Sequence, residues 1–194
     1  MYEAKNFEGL LGTEGFSDIL LRNHFTLYEG YVSNTNKVAD LLKTAEVGTP
    51  QYNELKRRFG WEWDGMRLHE FYFSNMIKGG IALDKKNSLA KKIEEDFGSF
   101  EAWEKDFKGT GAMRGIGWAM LVRDTETGRL FNVWVNEHDG GHLVGSTPLL
   151  VMDVFEHAFA LDHGLKRADY ITAFWNAIDW SVVSARFAPT PIRA

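Results

Sequence analysis

Over residues 17–44, apolar side chains return every three or four positions. Phe16, Ile19, Leu20, His24, Leu27, Tyr28 and Tyr31 share one stripe, and Val38, Leu41 and Leu42 prolong it. That period predicts a long or broken amphipathic helix with Ser17 as its N-terminal cap. The stretch 46–50 reads as a loop, and 51–59 as a short helix. A second main helix is predicted over 64–77. Met66, His69, Phe73 and Ile77 form its stripe, Phe71 and Tyr72 thicken it, and Gly79-Gly80 ends it. The two main helices make an antiparallel hairpin. Residues 88–97 and 99–107 read as amphipathic surface helices, the second capped by Ser99 with Trp103 and Phe107 facing inward.

The period then changes. Residues 117–122, 130–135 and 148–152 are strand-like, and 124–128 carries a hairpin-loop signal. Helices follow at about 154–163 and 168–186, the last carrying Tyr170, Phe174, Trp175, Ile178 and Trp180; the tail 189–194 reads as irregular. The fold class is α+β: an N-terminal helical hairpin, then a domain with a three-stranded antiparallel sheet flanked by helices. The expected domains are 1–85 and 86–194.

Composition narrows the chemistry. The chain is 44% hydrophobic and 25% charged over 194 residues, which suits a soluble globular protein. A net charge of -5 argues against a nucleic-acid partner. No apolar run reaches membrane-spanning length, so no membrane is expected. The opening MYEAKNFEG lacks the basic and apolar regions of a secretory signal, so a cytoplasmic location is expected. Cysteine is absent, which excludes disulfides, thiolate catalysis and cysteine-bound metals. A metal site must therefore use His, Asp or Glu.

The stretch 147–159 offers such ligands. Its apolar run ends at Asp153, and His157 stands four residues later. Asp also suits a helix cap, so a strand-to-helix junction is expected there. A carboxylate oxygen and an imidazole nitrogen suit iron, manganese or zinc. Taken alone, the pair reads more readily as a cap and an ordinary histidine. His24 and His69 change the balance. One lies on each main helix, within an aromatic stripe, and facing helices can aim them at a common point.

Residues 153–159, Asp-Val-Phe-Glu-His-Ala-Phe, resemble the signature D-x-W-E-H-A-[FY] of the iron/manganese superoxide dismutase family, with Phe155 in the Trp place. Thr147-Pro-Leu-Leu150, Gly98-Ser-Phe100, 115–122, 174–180 and Arg186-Phe187 match further segments in the right order. The resemblance spans nearly the whole chain. It implies His24, His69, Asp153 and His157 as ligands to one iron or manganese ion per chain, with a lean to iron. It implies superoxide as substrate, and a homodimer or higher oligomer with Glu156 at the interface, orienting the partner's His157-equivalent. It makes Tyr31 and His138 the catalytic pair beside the metal-bound solvent. His138 stands fifteen residues before Asp153, the loop position of the outer-shell group, and is preferred there to His142. Gly65 cannot supply that group from the second helix, having no side chain.

Several positions depart from the family. His24 precedes Tyr31 by seven residues where the pattern has eight, which implies the loss of a helical bulge. Leu27 and Ala160 replace a His and a Tyr of the substrate channel; Tyr28 and His163 are candidates to fill the space. Two other readings therefore stand beside dismutation. One is another redox-metal enzyme of the same fold, which an activity screen separates. The other is a non-catalytic metal-binding relative, marked by metal binding without a redox cycle.

Overall fold

Two capped helices make the first half of the molecule in the computed structural model, which describes residues 1–188. Ser17 accepts from Leu20 N (3.1 Å) and starts α1, Asp18–Thr44, which is α-helical throughout. The seven-residue spacing from His24 to Tyr31 thus sits on two ordinary turns without a bulge. Thr49 caps α2, Pro50–Ser74, with Pro50 in its first turn. The short helix expected at 51–59 and the one at 64–77 are therefore one helix. Gly60 sits inside it, at a modest propensity cost. The helix also ends before Gly79-Gly80. Met76 leaves it to bridge Ile178, and Asn75 Nδ2 donates to Val151 O (2.6 Å). Tertiary pairing overrides the stop signal.

The surface helices form where expected: α3, Ser88–Phe97, and α4, Phe100–Gly111, capped by Asn87 and Ser99. Leu89, Ile93, Trp103 and Phe107 are fully buried. Each aliphatic or Phe side chain among them contributes roughly 1.5–3 kcal/mol by leaving water. The strands are β1, Trp118–Asp124, β2, Leu130–Val135, and β3, Ser146–Asp153, in antiparallel order β2-β1-β3. β1 is central and wholly buried from Trp118 to Val122. Trp118 stands opposite Asp153 in register.

After β3 the expected helix at 154–163 is only a 3-10 turn, Glu156–Ala158, and one helical turn, α5, Ala160–His163. Val154 N still donates to Gly117 O (2.9 Å), so sheet pairing outlasts the strand and delays any helix. The helix expected over 168–186 divides into α6, Arg167–Asn176, and α7, Trp180–Phe187. Asp179 caps α7 through Ser181 N (3.0 Å), while residues 178 and 179 bridge Met76 and Ile81. Arg186 ties α7 to Asn75 Oδ1, Leu149 O and Phe71 O. Three stripe residues point outward: Ile19 is 67%, Leu41 41% and Ile77 38% exposed. Leu21 and Phe25 fill the core beside α1 instead. Among the described residues no helix is long and apolar enough to cross a membrane. The tail 189–194 lies outside the described residues.

Candidate metal centre

α1 carries His24 and α2 carries His69, both on core-facing turns. β3 ends at Asp153, and the 3-10 turn carries His157. His24, His69 and Asp153 are buried completely, while the His157 side chain keeps 29% of its surface. The three imidazole Nε2 atoms converge on one oxygen, Asp153 Oδ2, at 3.2 Å (His24), 3.6 Å (His69) and 3.1 Å (His157). One donor atom from each of the four residues lies within 4.8 Å of every other. Bonds of roughly 2.1 Å to a shared ion put neighbouring donors roughly 3.0–3.6 Å apart.

The surrounding bonds aim these donors. His69 Nδ1 donates to Gly65 O (2.6 Å), which leaves its Nε2 lone pair facing the cluster. Asp153 Oδ1 accepts from Phe155 N (2.8 Å), freeing Oδ2 for the imidazoles. This local bond is the form its capping takes, since no helix starts there. The Tyr170 hydroxyl donates to Asp153 O (2.5 Å) and pins the strand end. Both ring nitrogens of His24 and Nε2 of His69 are buried without a hydrogen-bond partner. His24 approaches Asp153 without hydrogen-bond geometry. An unsatisfied buried polar atom costs about 1–3 kcal/mol, and a shared cation would relieve the unpaired Nε2 atoms together. The residues fit a metal ion.

Electrostatics agree. Burial lowers the pKa of His24, partly offset by Asp153. Burial, then the neighbouring His24, holds His69 well below the usual histidine value. Both rings are neutral, as ligation requires. Burial pushes Asp153 up, but the imidazoles of His157 and His24 beside it outweigh that and hold its carboxyl well below the usual range.

Tyr31 and His138 border the four donors. The Tyr31 ring stacks on His69 with centroids 5.1 Å apart. It rests against bare α2 backbone: a Cβ on Gly65 would meet Tyr31 Cδ1 at 2.6 Å. His138 reaches inward from the β2–β3 loop. Glu137 before it takes φ 54, a left-handed conformation rare outside glycine, as the chain turns sharply. The nitrogens of His138 meet Tyr31 Oη (2.8 Å) and Trp118 Nε1 (3.2 Å). Burial pushes the His138 pKa down to about 4 and raises that of Tyr31. Trp61 packs edge-on against His138 at 4.6 Å and tilted against Tyr31 at 5.4 Å, and Arg58 covers the Trp61 ring.

The other candidates have separate roles. His142 Nε2 donates to His138 O (2.7 Å) and braces the loop. The Tyr28 hydroxyl bonds Lys5 N and Glu70, and His163 Nε2 donates to Gly15 O, so these bonds turn away from the cluster. Glu156 and Ala160 are exposed. Sequence reasoning missed the Trp118–His138 contact. Its one signal was an indole N–H inside an apolar strand, which needs an acceptor when buried.

The family model described as "Iron/manganese superoxide dismutases, C-terminal domain" matches residues 85–186. The chain is 36% identical over 173 residues to superoxide dismutase (Mn) 2 of Haloferax volcanii, covering 87% of this chain and 85% of that protein. It is 37% identical over 183 residues to superoxide dismutase (Fe) of Aquifex pyrophilus, covering 90% and 85%. To superoxide dismutase (Fe) of Cupriavidus metallidurans it is 37% identical over 180 residues, covering 90% and 89%.

Proposed function

The chain belongs to the iron/manganese superoxide dismutase family, and we propose that it converts superoxide to dioxygen and hydrogen peroxide at one iron or manganese ion held by His24, His69, Asp153 and His157. The observation that carries this reading is the convergence of three imidazole Nε2 atoms on one buried carboxylate oxygen. The chemistry such an ion supplies when bound is a one-electron cycle in which two superoxide anions and two protons become dioxygen and hydrogen peroxide. Zinc has a single oxidation state and does not support it.

The chain's own residues do the rest. Asp153 contributes the one negative charge among neutral imidazoles, so a divalent ion keeps a net positive charge that attracts an anion. Tyr31 and His138 are the catalytic pair in this proposal. They form a hydrogen-bonded step through which a proton reaches reduced substrate. Burial of both keeps bulk water away and strengthens each bond. Iron stands ahead of manganese in the proposal. Metal analysis of protein from cells supplied with both, with superoxide removal measured after reconstitution with each, tests the whole reading. Full metal loading without superoxide removal would overturn it. A screen for peroxidase and oxidase activity on the same protein then addresses the less polar channel that Leu27 and Ala160 create.

The homodimer and the cytoplasmic location are also proposals. Supporting the dimer, Glu156 is exposed and His157 Nδ1 has no hydrogen-bond partner among the described residues. Leu161 and Leu165, a few residues on in the chain, are 59% and 101% exposed. In this arrangement Glu156 of each protomer bonds its partner's His157, twice per dimer by symmetry. For the location, the lack of cysteine suits a reducing compartment. Cell fractionation tests it.

A further inference from the structure

We propose that the cleft where the N-terminal arm meets the end of α2 is an anion site, apart from the metal centre, in which Lys5, Arg67 and Arg186 take a phosphate group, free or carried on a small organic molecule.

The cleft holds about 410 Å3 and is lined by Lys5, Arg67, Glu70, Phe71, Ser74 and Arg186. Its one carboxylate, Glu70, is spent on both oxygens. Oε1 accepts from the Tyr28 hydroxyl (3.2 Å), and Oε2 accepts from Lys5 Nζ (3.0 Å) and Arg67 Nη1 (2.7 Å). One negative charge thus answers three positive ones, on a chain whose net charge is -5. The local surplus matches a phosphate group, which carries about 1.5–2 negative charges near pH 7.

Arg186 gives an independent sign of an anion. Its guanidinium is partly buried, yet it bonds neutral acceptors: Asn75 Oδ1, Leu149 O (2.8 Å) and Phe71 O (3.3 Å). It stands 4.7 Å from the centre of the Phe71 ring. No carboxylate pairs with it among the described residues. Burial lowers its pKa to about 10, and no neighbouring negative charge offsets that. Removing a charge from water without a counter-ion is costly, and an anion in the cleft would relieve it.

The other two cations are held ready. Lys5 N donates to Tyr28 Oη (3.0 Å), which fixes the arm where Nζ reaches the cleft. The Arg67 guanidinium lies 5.2 Å from the Tyr2 ring and 5.0 Å from the Trp63 ring, so its aim is set by packing. Each spends one N–H on Glu70 and keeps others for an oxyanion. Donors fixed in advance lose little freedom on binding. The phosphate ion alone leaves much of the cleft empty, which gives room for a small organic remainder beside Phe71.

The test is titration calorimetry on the full-length, metal-loaded protein in phosphate-free buffer, at ionic strength held constant with sodium chloride. Inorganic phosphate and glycerol phosphate are the probes. Wild type should bind one phosphate per chain saturably. Tighter binding of glycerol phosphate identifies an esterified ligand, and tighter binding of inorganic phosphate the free ion. Lys5→Gln and Arg67→Gln should each weaken binding by about tenfold, the loss of one charge-assisted bond. If Arg67→Gln does not fold, Lys5→Gln decides, because that side chain is half-exposed. Arg129→Gln, on the hairpin of β1 and β2, should bind as wild type does. No saturable binding, unchanged affinity in Lys5→Gln, or an equal loss in Arg129→Gln would each overturn the proposal. So would binding that vanishes with the metal and survives Lys5→Gln, since the anion would then sit on the ion. None of these readouts involves turnover, so failure of the dismutase reading leaves this inference untouched.

Discussion

Gly65→Ala is the sharpest test of how the site is built. The substitution sets two effects against each other. Alanine in a helix interior gains about 1 kcal/mol over glycine. Its Cβ, however, would lie 2.6 Å from Tyr31 Cδ1, 2.8 Å from Cε1 and 3.1 Å from Cγ. Carbon atoms prefer roughly 3.5–4.0 Å, so the ring must retreat by about 1 Å. Tyr31 is buried at 8% exposure, with Trp61 and His138 against it, so the retreat costs roughly 1–3 kcal/mol in overpacking. The 2.8 Å bond from His138 is stretched or broken, at about 1 kcal/mol more. The clash wins, and the net destabilisation is about 1–3 kcal/mol by urea unfolding. Metal content should stay near that of wild type, because His69 is held by the main-chain oxygen of Gly65. Superoxide removal should fall with the displaced hydroxyl. On a Tyr31→Ala background, itself destabilised by loss of a buried ring, Gly65→Ala should no longer add a cost, because the clash is absent. A Gly65→Ala protein as stable and as active as wild type would refute the packing argument.

Other outcomes follow from the same geometry. Asp153→Ala removes the oxygen on which three imidazoles converge and should leave little bound metal; near-stoichiometric content by elemental analysis would count against the ligand set. Glu156→Ala should weaken both self-association and metal retention, the latter by roughly 10–100-fold, as for other groups that orient a ligand. Sedimentation at micromolar concentration, with metal content in parallel, checks this, and an unchanged dimer with full metal rejects it. His138 makes metal-free stability depend on pH. Its folded pKa of about 4 lies below the unfolded value of 6.5, so only the unfolded state gains a proton between them. No penalty is present above about 6.5. It grows as pH falls and reaches roughly 3 kcal/mol near pH 4. His138→Gln should flatten that part of the unfolding profile, and parallel profiles would show that the ring does not titrate there.

Local signals carried much of this molecule. Helical periodicity, with Ser17 and Ser99 as caps, marked α1 and α4, because each depends on contacts three or four residues apart. Alternation and the 124–128 turn marked the hairpin of β1 and β2 for the same reason. Asp153 and His157, four apart, were legible as a donor pair; His24 and His69 joined them as one histidine on each of two facing helices, and the family resemblance made the four a ligand set. What the chain alone did not disclose depends on distant partners. α2 runs on through Gly60 and stops at Ser74, where Asn75 bonds Val151 and Met76 bridges Ile178. The final helix divides at Asp179, where the same bridging segment meets Met76 and Ile81. Ile19 and Leu41 fit the periodicity of α1 yet face outward, since periodicity alone does not say which flank of a stripe the neighbouring elements cover. His138 was legible as a loop histidine near the site, but not that Trp118 and Tyr31 take its two nitrogens. Residue type sets what a group can donate or accept, whereas which partner lies within 3 Å is decided only when strands and helices far apart in sequence pack together.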